Sequence, residues 1–139
     1  MWIDAKGSTV LSPPECMQLL AVAARDMGVG RLGVATEQAP VITPVNFSLW
    51  DRRVLVRVGA GFLTQAAAGQ LVAFEVDHVD PAAGTAWSVL VRGLAVLVDT
   101  PTKDQIMAAE PLVPEPGNEV LLVRPDVLTG RRFTPRPVS

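Results

Sequence analysis

The chain has 139 residues, with 12 Lys plus Arg against 14 Asp plus Glu and a formal net charge of −2. At about 150 residues per domain this is material for one domain. The near-neutral balance excludes a non-specific binder of nucleic acid or of an anionic membrane surface. With 49% apolar and 19% charged residues, a disordered polyelectrolyte is excluded as well.

No apolar run approaches the roughly 20 residues of a transmembrane helix. The opening residues, Met1 to Gly7, lack the apolar stretch of a secretory signal. Cys16 is the single cysteine, so no internal disulfide is possible, and a reducing, cytoplasmic location is expected. Val occurs 21 times and Tyr never, while 12 Pro and 11 Gly punctuate the chain. Short Val-rich runs between turn residues predict a mainly β protein.

The first predicted element is a helix. Ser12-Pro13-Pro14-Glu15 has the form of a capping box, and Cys16, Leu19, Leu20, Ala23 and Met27 recur on one stripe. Gly28 is the expected helix stop. A strand follows at residues 31–36. Residues 41–50 and 54–58 alternate about a polar turn, Asp51-Arg52-Arg53, and predict a hairpin. Pro44 places the first of these strands at an edge or bulge.

Gly59-Ala60-Gly61 leads into a short helix over residues 62–69. Residues 71–76 predict a strand that ends in a turn at residues 77–81. Residues 86–98 form the longest strand, with Gly93 as a bulge or bend. Thr102 caps another helix, residues 111–118 form a Pro-rich loop, and residues 119–124 form a late strand. Residues 129–133 follow a turn, and residues 134–139 are expected to fray. About six strands with helices at the corners predict an antiparallel barrel.

Few local motifs carry chemistry. Gly28-Val29-Gly30-Arg31-Leu32-Gly33 spells G-x-G-x-x-G, but the helix precedes it and the strand follows. That is the reverse of a dinucleotide site. His78, between Glu75, Asp77 and Asp80, reads as a solvated turn rather than a metal site. Trp50 and Trp87-Ser88 read first as packing, and second as an aromatic wall with a hydroxyl for a planar ligand. The best anion candidate is Arg57-Val58-Gly59-Ala60-Gly61, where a strand turns into a helix beside a guanidinium.

Taken together, several segments resemble a known family. Gly30-Arg31-Leu32-Gly33-Val34, Pro40, Pro44-Val45-Asn46-Phe47, and Val56-Arg57 with Gly59 and Gly61 occur in its order. Val72 to Asp77, Trp87 to Gly93 and Thr129 to Arg132 continue it. The pattern is similar to the pyridoxamine 5′-phosphate oxidase-like, flavin-binding split barrels, in particular their short actinobacterial members.

The resemblance implies a six-stranded antiparallel split β-barrel acting as a homodimer, with FMN or a deazaflavin at the dimer interface. It implies an oxidoreductase whose small-molecule substrate is unassigned. Carried over by position, Thr43, Pro44, Val45 and Asn46 line the flavin. Arg57, Val58, Gly61, Phe62, Leu63 and Thr64 form its phosphate turn, and Trp87 and Ser88 approach from a later strand. The cofactor itself carries the hydride chemistry, so no side-chain acid or base is required.

The chain departs from the family pattern at the phosphate turn. Relatives carry Arg-Thr-x-x-Gly-Thr-Lys, where this chain has Val58, Phe62 and Leu63 in place of two hydroxyls and the Lys. A late Pro-Trp is replaced by Pro111-Leu112-Val113-Pro114. A second reading follows: a cofactor-free binding module whose phosphate site, at Phe62 and Leu63, has become apolar.

Overall fold

The structure is a computed structural model, described here for residues 2–3, 8–109 and 117–134. Nine strands and three helices follow in the order β1 (Trp2–Ile3), β2 (Ser8–Val10), α1 (Pro13–Asp26), β3 (Val29–Val34), β4 (Val41–Trp50), β5 (Arg53–Val58), α2 (Phe62–Ala67), β6 (Leu71–Asp80), β7 (Thr85–Leu97), α3 (Lys103–Ala108), β8 (Glu119–Val123) and β9 (Val127–Phe133).

Six strands, β3-β4-β5-β8-β7-β6, close on themselves as an antiparallel barrel. Strands β9, β2 and β1 extend the sheet from β7. One long strand serves both parts. The first half of β7, Ala86 to Arg92, pairs with β9, and its last residues, Ala95 to Leu97, pair with β8. Gly93 stands at the fork. The ladder to β6 passes through it unbroken, Val72 facing Gly93, so the residue is not a bulge. Its missing side chain lets the Arg124 carbonyl approach the strand where the two partners part.

The barrel interior follows from strict alternation. Leu32, Val45, Phe47, Val56, Phe74, Val76, Val89, Val91 and Leu121 are buried together. The rings of Phe47 and Phe74 meet at 4.9 Å. Helix α1 packs on β4, β7 and β9 and sends Cys16, Leu20 and Ala23 into the same core. Its start is capped as the sequence predicts: Ser12 Oγ accepts from the Glu15 N–H at 3.3 Å and donates to Glu15 Oε1 at 3.0 Å. Gly28, at φ 68°, ends it. Burial pushes the Cys16 thiol pKa up, as for a packing cysteine.

A smaller apolar cluster lies outside the barrel wall. Leu55, Val120 and Leu122 pack there with Ala109, joined by Trp50 and Ile106. Thr102 caps α3 in a full capping box with Gln105. Pro44 faces only β3, because β5 first pairs with β4 at Asn46. At that point a missing N–H costs little.

Three sequence expectations are corrected. Residues 77–80 are strand, not turn: His78 pairs with Trp87 and Asp80 with Thr85, and the turn falls at residues 81–84. The apolar pattern stops at Val76, but the partner strand continues and carries polar residues along with it. Strands β1 and β2 were not anticipated, and residues 127–133 form a full strand. Strand β2 and the strand at residues 127–133 pair with each other across the length of the chain, Val10 facing Arg131, and β1 pairs with β2. The barrel itself has the six antiparallel strands expected, and three further described strands extend its sheet. The Pro-rich stretch at residues 110–116 and the end at residues 135–139 lie outside the described residues.

Candidate functional site

Strand register sorts the residues singled out in the sequence onto two faces. Thr43 lies opposite the core residue Leu32, so Thr43 and Val45 face the barrel interior. Val58 is buried in the same core. These three offer a ligand outside the barrel only their backbone. Pro44 and Asn46 face outward, and Asn46 pairs directly with Arg57 across β4 and β5. Asn46 is 2% exposed and hydrogen-bonded.

Arg57 is half-buried and already engaged. Its Nε donates to Gly117 O at 2.8 Å, one terminal nitrogen donates to Asn118 Oδ1 at 3.0 Å, and the other donates to Ala109 O at 3.4 Å. The guanidinium thus ties Ala109, Gly117 and Asn118 to strand β5. Among the described residues, two of its five N–H groups have no acceptor. Gly117 crosses the turn at backbone distance; a Cβ there would fall 2.1 Å from Gly59 Cα.

At the far side of the turn a Cβ at Gly61 would meet nothing within 4 Å among the described residues, and its φ of 144° requires glycine. Phe62 is 59% exposed, and Leu63 packs against the barrel core. Thr64 is buried, and its Oγ1 donates to Gly59 O at 2.8 Å, so this hydroxyl holds the turn together.

Trp87 leans on the main core, while Ser88 faces outward between Asp77 and Arg131. Strands β3 and β6 separate Ser88 from Asn46. Three strand spacings amount to about 14 Å. Within one chain, Ser88 and the Arg57 turn therefore do not meet on a single phosphate, although both border the same outer face.

Between them lies a cluster that the motif search did not single out. Arg31 on β3 contacts Glu75 Oε1 at 3.1 Å and Asp77 Oδ2 at 3.4 Å on β6. Burial, followed by the neighbouring Asp77, pushes the Glu75 carboxyl up to about 7; Arg31 offsets part of this. The sequence signal was the shared strand face of Glu75 and Asp77. Their partner Arg31 is 44 residues from Glu75 and could be assigned only once β3 and β6 were paired. His78 lies on the opposite face of β6 from both carboxylates. Among the described residues, no group of His, Cys, Asp and Glu could hold a metal ion.

A flavin can be tested against this arrangement. The space at Gly61, the two Arg57 N–H groups without an acceptor among the described residues, and the outer face accommodate one. The phosphate would find fewer donors than the family turn supplies, since the positions of Lys and two hydroxyls hold Leu63, Val58 and Phe62. The residues present fit the group, with a thinner grip on its phosphate.

A closed antiparallel barrel with a sheet extension, a capping helix and a glycine turn beside an outward arginine defines a split-barrel protein. The chain matches the pyridoxamine 5′-phosphate oxidase family over residues 12–132, and it belongs to that family. An uncharacterised protein of Mycobacterium tuberculosis is 34% identical over 140 residues, covering 94% of this chain and 88% of the relative. The structure is similar to an FAD-binding protein from Mycobacterium smegmatis. That likeness has a TM-score of 0.70 and 32% identity, and covers 91% of this chain and 99% of that one. A second FAD-binding protein, from Mesorhizobium loti, shares the fold at a TM-score of 0.73 and 21% identity, over 90% of this chain and 96% of that one.

Proposed function

We propose that this chain is a flavin-binding split barrel that works as a homodimeric oxidoreductase in the cytoplasm. FMN or a deazaflavin would lie on the outer face with its phosphate toward Arg57. The observation that carries this reading is Arg57 paired with Asn46 beside the Gly59–Gly61 turn, whose Gly61 end has no described atom within 4 Å of a Cβ. The Mycobacterium smegmatis relative, an FAD-binding protein, supports flavin binding in general. The bound flavin would supply hydride transfer. The chain would bind and orient it through Arg57 and the turn backbone. Cys16, a lone buried thiol, agrees with a reducing location.

A second reading has its own observation. Phe62 is 59% exposed at the turn, and Leu63 beside it is apolar, which suits a binding module that uses no cofactor. The visible spectrum of freshly purified protein separates the two. It is followed by fluorescence titration with FMN, FAD and a deazaflavin. A yellow protein, or saturable binding that Arg57→Ala weakens at least tenfold, supports the flavin reading. A colourless protein that binds none of the three overturns it and favours the binding module.

A further inference from the structure

The end of the barrel away from Arg57 carries a pocket that flavin binding does not use. Val54 pairs with Val123 and Val58 with Glu119, so the turn between β4 and β5 and the Arg57 turn stand at opposite ends of β5. From Arg52 to Arg57 the chain advances by about 16 Å. Beside Arg52 a pocket of about 370 Å³ opens between the start of α1 and the start of β9. Its walls are Pro13, Pro14 and Met17 from the helix, with Pro125 and Leu128 opposite. Leu128 pairs with the buried Val91 and shares its core side of the sheet. Ile42, Leu71 and Val79, which are expected to meet a second copy, lie on the outward side, and none of them lines this pocket.

The turn holds Arg52 against its local preference. Asp51 and Arg52 have φ of 49° and 63°, the left-handed region that glycine enters without strain. Arg52 is exposed, lines the pocket, and has no hydrogen bond or ion pair among the described residues. The other polar groups at the pocket are already engaged. Pro13, Pro14 and Pro125 carry no N–H. Asp126 also lines the pocket, but its N–H donates to Arg124 O at 2.9 Å. Its Oδ2 accepts from Arg124 and from the Leu94 N–H, each at 3.4 Å. Arg124 thus neutralises Asp126. Among the described lining residues, the Arg52 guanidinium is the charge left unpaired.

We infer that this pocket binds a small aromatic monocarboxylate. Its ring lies among the prolines, Met17 and Leu128, and its carboxylate meets Arg52. The volume stands at the lower end of small-molecule sites, roughly 300–1,000 Å³, which suits one ring or two fused rings. Rigid proline faces and a polarizable thioether offer flat apolar contact to such a ring. A guanidinium takes a carboxylate through two parallel bonds. A phosphate would find one guanidinium and none of the backbone N–H groups that usually cradle it. A cationic head would be repelled. Keeping arginine where glycine is less strained fits a side chain in use at a site. Walls and arginine all come from one chain, so the site requires neither the flavin nor a second copy and coexists with both.

The test uses one ring system with two heads. 2-Naphthoate and its neutral isostere 2-naphthamide are titrated into the full, isotope-labelled protein in its own oligomeric state while backbone amide shifts are followed. 2-Naphthoate is expected to shift the Met17, Arg52 and Leu128 amides saturably. 2-Naphthamide should bind about tenfold more weakly, and inorganic phosphate should leave these amides unmoved. Arg52→Gly should bring 2-naphthoate down to the level of 2-naphthamide and leave 2-naphthamide unchanged. Its unfolding midpoint should stay equal or rise, because glycine relieves the turn. Arg52→Lys should recover only part of the lost affinity. Equal binding of the two heads, or 2-naphthoate shifts insensitive to Arg52→Gly, overturns the proposal. So does a response to phosphate as strong as that to 2-naphthoate. A lower unfolding midpoint in Arg52→Gly also overturns it, since Arg52 would then be holding the turn. Flavin titration of Arg52→Gly is expected to match the unsubstituted protein, so this site and the one at Arg57 can fail separately.

Discussion

A Cβ on Gly93 would lie 1.8 Å from the carbonyl oxygen of Arg124. Both are main-chain positions at the fork of β7, where Arg124 N donates to Leu94 O at 3.0 Å, so neither can yield. Gly93→Ala is expected to cost about 3 kcal/mol. Gly33 makes the contrast: a Cβ there would meet Ala73 at 3.7 Å, ordinary contact. Gly33→Ala should be neutral or stabilise by up to about 1 kcal/mol. Urea unfolding of both variants checks this, and equal midpoints would refute the fork geometry.

Arg57 holds Gly117 and Asn118 as well as facing the Gly59–Gly61 turn. Arg57→Ala should therefore lower stability by about 1.5–3 kcal/mol, independently of any ligand. Asn118→Ala removes one acceptor and frees one guanidinium N–H. It should cost about 1 kcal/mol and leave flavin affinity unchanged or raised. Denaturation midpoints and flavin titrations on both variants separate the clamp from the anion contact. A loss of flavin affinity in Asn118→Ala equal to that in Arg57→Ala would show that the clamp, not the free N–H groups, matters for binding.

Glu75 titrates near 7 in the folded chain, above the ordinary carboxylate range. The folded state thus holds this proton more tightly than the unfolded chain does. The resulting stabilisation is complete below the ordinary carboxylate pKa and is lost as the pH rises through about 7. Solvent screening of a half-exposed group leaves about 1 kcal/mol of it. Urea midpoints at about pH 5 and about pH 8.5 should fall in that order, and Glu75→Gln should flatten the difference. An unchanged slope in Glu75→Gln would assign the titration to another group.

Ile42, Leu71 and Val79 project from the outer face with more than half of their surface in water. The exposed apolar area suits burial against a second copy of the chain. Sedimentation equilibrium at micromolar concentration is expected to show a dimer, and Leu71→Glu to shift it toward monomer. Monomer alone in the unsubstituted protein would remove the interface from the flavin reading.

Local signals were legible wherever the interaction partner is close in sequence. The Ser12–Glu15 cap, the Gly28 stop, the 41–58 hairpin and the Thr102 cap were all readable before folding. The end of β6 was misread because Asp77, His78 and Asp80 look like a turn. Their strand state is imposed by β7. The residues of the turn at 57–64 were legible as a pattern, yet the commitment of Arg57 to Gly117 was not, since 60 residues separate them.

The sequence by itself determined the mainly β class, the caps that start α1 and α3 and the glycine that stops α1, because periodicity, caps and glycine act over a few neighbouring residues. Only the tertiary structure decided which strands close the ring, that β7 divides between β8 and β9, and that Arg31 meets Glu75. Each of those pairings joins distant segments against the entropy of loop closure. They are offset collectively by the buried Val, Leu and Phe side chains of the barrel, and no short window of sequence records that sum.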